Sequence, residues 1–327
     1  MFDNLFCQPF LECLLHWSNL QDTLSFVSTC LQRSQDRRWI IRNYAVVDFR
    51  KRHSFSAGIN PRRLRARLHS KTECEQVCIQ CPDVTDVVFL TSFFGANYKM
   101  PPNVQHAQFN NYYWSIIRTF PITLTELKID SLAGLDTGSV NLPPNLRNLT
   151  LGSNDNWDAL ASWPSTLTHL AFCEFGGLEN DFVVPASVEC LNLGHCFFLR
   201  RLRIKFPATL THLTFLSTIF PDRADFCTLP TKLKSLSLGE SFNEPLHDGF
   251  LPDSLQRLYF GNCFEQSLAN IALPSGLTHL EFGCFYDKSL QEVSFPLSLR
   301  YLSIPANYPH NLPALPETTA LVYTGAL

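Results

Sequence analysis

The feature that most constrains this chain is a repeat. Residues 252–273 read PDSLQRLYFGNCFEQSLANIAL and residues 274–295 read PSGLTHLEFGCFYDKSLQEVSF. The two lines align without a gap, placing Pro252 on Pro274, Leu255 on Leu277, Leu258 on Leu280, Phe260 on Phe282, Gly261 on Gly283 and Leu268 on Leu290. A fixed period of about 22 residues with fixed apolar positions specifies a solenoid. The unit is P-x-x-L-x-x-L-x-[FL]-G, followed by an aromatic and a late Leu. Alternation in L-x-[FL] puts Leu258 and Phe260 on the inner face of a strand, with Arg257, Tyr259 and Gly261 facing the other way. The Gly ends the strand, with a positive φ expected there. Pro opens the next unit, where a missing N–H does least harm to a ladder. One unit buries too little to stand alone, so neighbours must cover each other's faces and share backbone hydrogen bonds.

Clear copies begin at Pro121, Pro143, Pro164, Pro185, Pro207, Pro230, Pro252, Pro274 and Pro296. Weaker ones begin at Cys81 and Pro101, and an eroded, capping copy at Pro316. The fold expected is an α/β solenoid over 81–327: an arc of about 10–12 repeats with a parallel concave sheet, its strands about 4.8 Å apart. One core ladder should run through Leu127, Leu149, Leu170, Leu191, Leu213, Leu236, Leu258, Leu280 and Leu302. A second should run through Ile129, Leu151, Phe172, Leu193, Phe215, Leu238, Phe260, Phe282 and Ile304.

Residues 1–45 have a helical rhythm instead. PFLECLLHW (9–17) carries Leu14 and Leu15, and NLQDTLSFVSTCLQ (19–32) places Leu20, Leu24, Val27 and Leu31 on one face. QDRRWIIRNY (35–44) reads as a third helix. Three short helices make a small module that must dock on the array or on a partner. Residues 46–80 read as a basic linker or N-terminal cap: AVVDF (45–49) suits a strand, and the residues after Pro61 suit either a helix or a degenerate first unit.

Composition narrows the functional classes. Apolar residues make up 45% of the 327 and charged ones only 17%, which suits a packed chain rather than a disordered one. A net charge of -3 does not point to nucleic acid. No apolar run approaches the ~18 residues of a membrane span, and the first residues lack the pattern of a signal peptide. The 12 cysteines recur inside the repeats without framework spacing, so they read as reduced thiols in a cytoplasmic or nuclear protein.

The lines LPTKLKSLSLGESFNEPL (229–246) and LPDSLQRLYFGNCFEQSL (251–268) resemble FNIP repeats, a 22-residue variety of leucine-rich repeat named for an F-N-x-P-[IL] segment; FNEPL at 242–246 carries it. The resemblance runs from about residue 101 to 327. It implies a leucine-rich-repeat-like arc and no catalytic activity. The stretch LLHWSNLQDTLSFVSTCLQRSQDRRW (14–39) resembles an F-box, with Gln8-Pro9 near the place of the usual Leu-Pro opening. F-boxes followed by leucine-rich repeats are substrate receptors of cullin-type ubiquitin ligases. The resemblance therefore implies that Leu14, Leu15, Leu20, Leu24 and Val27 bind the ligase's adaptor subunit while the arc binds the protein to be ubiquitinated. The alternative is a stand-alone repeat scaffold whose helices only cap the array.

Chemistry-bearing residues support no enzyme. There is no phosphate-binding Gly loop, no G-x-S-x-G and no His–Glu pair at metal-ligand helical spacing, and no cofactor is implied. His106, His169, His212 and His279 occupy one repeat position on the outer face. His169 and His212 lie two strands apart, roughly 10 Å, too far to share one zinc; the column reads as copies of one polar position. Cys74, Cys78 and Cys81, with His69 upstream, read either as a buried helical face or as a zinc site. Arg50, Lys51, Arg52, Arg62, Arg63, Arg65, Arg67 and Lys71 form a basic run that reads as a solvated surface, with contact to nucleic acid or anionic lipid as the other reading. The concave face is left. Its candidate partner-binding residues are His169, His212, Arg257, Tyr259, His279, Glu281 and Tyr301, a cluster rich in the Tyr and Arg of binding hot spots.

Overall fold

The computed structural model describes residues 44–48, 63–68, 84–89, 100–109, 120–131, 140–153, 160–175, 182–196, 204–218 and 228–324. One fourteen-stranded sheet runs through them. Its strands, in chain order and in spatial order alike, are Tyr44–Asp48, Arg63–Leu68, Asp86–Phe89, His106–Phe109, Glu126–Ser131, Asn148–Ser153, His169–Phe172, Cys190–Asn192, His212–Thr214, Ser235–Ser237, Arg257–Tyr259, His279–Glu281, Tyr301–Pro305 and Ala320–Thr324. Every neighbouring pair is parallel. A strand that always pairs with its predecessor one repeat back can only coil in one direction, which makes the molecule a parallel-sheet solenoid.

Both expected ladders form. Leu127, Leu149, Leu170, Leu191, Leu213, Leu236, Leu258, Leu280 and Leu302 stand in register across the sheet, none more than 2% exposed. The ladder from Ile129 through Phe172 and Phe260 to Ile304 is buried as well, none of it more than 4% exposed. A third ladder comes from the Leu of P-x-x-L: Leu124, Leu146, Leu167, Leu210, Leu233, Leu255, Leu277 and Leu299 are all fully buried.

Three expectations need correction. The first is the helical half of the α/β class: among the described residues there is no helix. The return path of each repeat is cut into β-turns instead. In one unit, Phe264 N–H donates to Gly261 O (3.3 Å), Ile271 N–H to Leu268 O (3.0 Å) and Leu277 N–H to Pro274 O (3.0 Å). Turns this close together leave too few residues for a helix. The helical reading of 1–43 lies outside the described residues. The second is the strand count: Arg63–Leu68 is a strand, which suits the degenerate first unit rather than the helix of the two readings after Pro61, and with Tyr44–Asp48 it extends the sheet beyond the twelve or so strands the Pro-led units imply.

The third concerns glycine. Within the repeat column positive φ occurs as expected at Gly194 and Gly239, but not at Gly261 or Gly283; Gly249, also positive, lies outside the column. Those two are required by close approach. A Cβ on Gly261 would overlap the carbonyl oxygen of Gly239, and one on Gly283 the carbonyl of Gly261. The column is glycine because backbone of one repeat stacks directly on backbone of the next.

Proline also does more than open a unit. Its carbonyl accepts a turn hydrogen bond from the P-x-x-L residue in every copy from Pro101 to Pro316, at 2.9–3.4 Å. The residue before that Leu is often Thr or Ser, and its hydroxyl reaches one repeat back. Thr123 donates to Val104 O (2.8 Å), Thr166 to Leu146 O (2.7 Å), Thr209 to Val188 O (2.8 Å), Ser254 to Leu233 O (2.7 Å) and Ser298 to Leu277 O (2.7 Å). Such bonds satisfy carbonyls at the corner of the coil and tie consecutive repeats together. Short parallel strands decorate the other corners: Glu174–Phe175, His195–Cys196 and Ser217–Thr218 form one small sheet, and Phe182–Val183 pairs with Ile204–Lys205.

Candidate partner-binding face

Each three-residue strand shows one core Leu inward and two side chains outward, a half-buried, buried, half-buried pattern repeated in Ser235–Ser237, Arg257–Tyr259 and His279–Glu281. The outward positions form two columns. One runs Asp86, His106, Glu126, Asn148, His169, Cys190, His212, Ser235, Arg257, His279, Tyr301. The other includes Thr214, Ser237, Tyr259 and Glu281. The seven candidates His169, His212, Arg257, Tyr259, His279, Glu281 and Tyr301 thus share one face. His169 is exposed; the other six are half-buried.

The Thr-His-Leu tripeptides have a local logic. In all three, the Thr hydroxyl lies 2.9 Å from Nδ1 of the following His. The same hydroxyl reaches a carbonyl one repeat back: Thr168 to Arg147 O (3.4 Å), Thr211 to Glu189 O (3.1 Å), Thr278 to Gln256 O (2.9 Å). The tautomer with its proton on Nδ1 donates to the Thr oxygen and leaves Nε2 as an acceptor.

At His212 that acceptor is used. Arg257 Nη2–H donates to His212 Nε2 at 3.1 Å. The two residues lie two strands apart, with Ser235 in register between them, and a serine is short enough for the guanidinium to pass over. Burial, and after it the positive charges of Arg257 and Lys234, hold the His212 pKa below its ordinary 6.5, so the ring is neutral near pH 7. Further along, His279 stacks on Tyr301 with ring centroids 5.6 Å apart. Burial raises the Tyr259 phenol, Arg257 lowers it, and Glu281 and Tyr301 raise it further. Arg257, Glu281 and Tyr301 thus all lie close enough to act on the Tyr259 phenol.

His106 sits differently. It lies between two carboxylates, with Nδ1 3.4 Å from Asp86 Oδ1 and Nε2 3.9 Å from Glu126 Oε2, and Thr85 Oγ1 donates to Asp86 Oδ2 at 2.7 Å. Among the described residues no three of His, Cys, Asp and Glu are grouped to hold a metal ion. Burial raises the Cys173 and Cys190 thiols, which keeps them protonated and poorly nucleophilic. No helix among the described residues is long and apolar enough to cross a membrane.

Cys190, Ser237 and Lys234 belong with this face as well. Stepping back 22 residues from His212 and Tyr259 reaches Cys190 and Ser237, and Lys234 adjoins Ser235. Arg63, Arg65 and Arg67 fall at alternate positions of one strand. Leu14, Leu15, Leu20, Leu24, Val27, the Cys74–Cys78–Cys81 group and the remainder of the basic run lie outside the described residues.

The fold and its face define a parallel-sheet solenoid. The FNIP Repeat family model matches residues 222–263, 242–285 and 264–307. No curated protein matches the chain. Solved structures do. The circular leucine-rich-repeat protein CroV588 is 20% identical, covering 74% of this chain and 50% of that one, with a TM-score of 0.30. YopM from Yersinia enterocolitica WA-314 is 16% identical, covering 80% and 62%, with a TM-score of 0.40. This chain thus spans about half to three-fifths of their length, and its arc is defined by its own strand register rather than by superposition on either.

Proposed function

We propose that this chain is a non-enzymatic protein-binding receptor, working in the cytoplasm or nucleus, whose concave face holds a target protein. The observation that carries this reading is the continuous parallel sheet, whose outward columns set half-buried Arg, Tyr, His and Glu side chains side by side. A wide surface of mixed polarity and both signs suits a protein ligand. The F-box-like stretch supports a finer statement: residues 1–45 bind the adaptor subunit of a cullin-type ubiquitin ligase through Leu14, Leu15, Leu20, Leu24 and Val27, and the arc presents the target for ubiquitination.

A second reading has one observation in its favour. Among the described residues the strand Tyr44–Asp48 is the first of the sheet, and the stretch read as helical in the sequence immediately precedes it. On that reading the helices cap the first strand, and the protein is a stand-alone scaffold. Calorimetric titration of the full chain with a cullin-ligase adaptor separates the two. The receptor reading expects saturable binding that Leu20→Asp with Leu24→Asp abolishes. Absence of binding at tens of micromolar by a folded chain leaves the scaffold.

A further inference from the structure

We propose that Arg257, held over the concave sheet by His212, is the anchor for a carboxylate of an acidic peptide segment in the target. This rests on the reading of the concave face as the target-binding surface and names the chemistry of what binds there.

The first argument is the partner chosen for the arginine. A buried or half-buried guanidinium is ordinarily neutralised by a carboxylate. Among the described residues Arg257 has none within 4.0 Å: the ion pairs there are His106 with Asp86 and Glu126, and Lys288 with Asp287. Its hydrogen-bond partner is instead Nε2 of His212, at 3.1 Å. With the imidazole proton on Nδ1, donated to the Thr211 hydroxyl, Nε2 is the acceptor. A neutral acceptor fixes where the guanidinium points and leaves its positive charge unspent. Engagement through one nitrogen also leaves the rest of the planar fork, the part that recognises carboxylates in bidentate fashion.

The second argument is the field. The charged groups acting on His212 are Arg257, Lys234 and His169, all of one sign or neutral. The chain is acidic overall, at -3, and Glu281 stands in the second column beside Tyr259, so the positive stretch is local to His212, Lys234 and Arg257 rather than a reflection of bulk charge.

The third argument is room. The bridge from Arg257 to His212 passes over Ser235, and beside it the second column carries Thr214 and Ser237. Both are half-buried. They are small enough to leave space for a peptide side chain next to the guanidinium, and their hydroxyls are able to donate to a carboxylate that sits on Arg257.

The test uses the full chain and a fluorescein-labelled hexaglutamate peptide, read by anisotropy at low salt. Wild type binds saturably. Arg257→Gln weakens binding by about tenfold or more, the size expected for a charge-assisted contact. Arg300→Gln serves as the control. Arg300 is exposed, and its guanidinium is engaged by Leu297 O, Leu299 O and the Thr318 hydroxyl; its loss shifts affinity by no more than about twofold. His212→Asp gives Arg257 an internal carboxylate, and it loses binding as Arg257→Gln does although the arginine is intact. Unchanged thermal transitions show that the variants fold. Equal losses from Arg257→Gln and Arg300→Gln, wild-type affinity in His212→Asp, or no binding by wild type each overturn the proposal. None of these outcomes touches adaptor binding through residues 1–45, so this proposal and the receptor reading fail separately.

Discussion

At the scale of single residues, the fold is held by positions where one atom too many has nowhere to go. Gly261 is the clearest. Its φ is not positive, so no conformational strain reserves the site for glycine. What reserves it is the carbonyl oxygen of Gly239, which occupies the place a Cβ would take, with Gly261 in turn standing against Gly283. Backbone cannot rotate away as a side chain can. Gly261→Ala should therefore destabilise the chain by about 3 kcal/mol, the upper end for overpacking a close-packed site. Gly249→Ala is the informative comparison: that glycine has φ +78°, and nothing lies within 4 Å of the place its Cβ would take. Only backbone strain opposes that substitution, at about 1–2 kcal/mol. Urea denaturation of the two variants orders them. A larger loss at Gly249 would mean that turn conformation, rather than repeat-to-repeat approach, sets the glycine pattern.

At the scale of elements, the late aromatic of each unit builds a stack. Phe242, Phe264, Tyr286 and Tyr308 follow one another with ring centroids 5.8, 5.9 and 6.3 Å apart, their planes nearly parallel. Phe264 also lies 4.0 Å from Phe260, and Tyr286 lies 4.2 Å from Phe282. Phe264 is fully buried, so Phe264→Ala should cost about 3–5 kcal/mol. Tyr286 is 1% exposed, and burial pushes its phenol pKa upward. Its hydroxyl reaches Gln266 O only at 3.4 Å, a long contact. Tyr286→Phe should be tolerated within about 1 kcal/mol, since the same column already accepts Phe at 242 and 264. Thermal unfolding of both variants checks the pair. A severe loss in Tyr286→Phe would show that the hydroxyl, not the ring, holds that position.

At the scale of the whole molecule, whatever repeats is legible in the sequence. The two core ladders are legible because L-x-[LF] fixes strand parity and the 22-residue period fixes register; no long-range knowledge is needed to align Leu236 with Leu258. The strand Arg63–Leu68 is ambiguous because Ala66, not Leu, stands at the register position of Leu127, and Arg-Leu-Arg-Ala-Arg-Leu satisfies a helical and an alternating pattern alike. Helices are expected on the return path because the family resemblance suggests an α/β arc, whereas the turn hydrogen bonds at Gly261, Leu268 and Pro274 leave no span for one. The seven face residues are legible by parity. The bond from Arg257 to His212 is not, because it depends on a long side chain crossing a whole strand, which a period alone does not describe.

The claim on which the rest stands is that these face residues occupy one face of one parallel sheet. The most direct measurement is a distance between spin labels attached through p-acetylphenylalanine at His169 and His279, read by double electron–electron resonance. The register takes the column from His169 through Cys190, His212, Ser235 and Arg257 to His279. Five steps of about 4.8 Å place the two backbones about 24 Å apart. The account predicts a single distribution centred near about 25–30 Å once the label arms are included. A distribution centred beyond about 40 Å, or two separate populations, would contradict a continuous in-register sheet and with it the shared binding face.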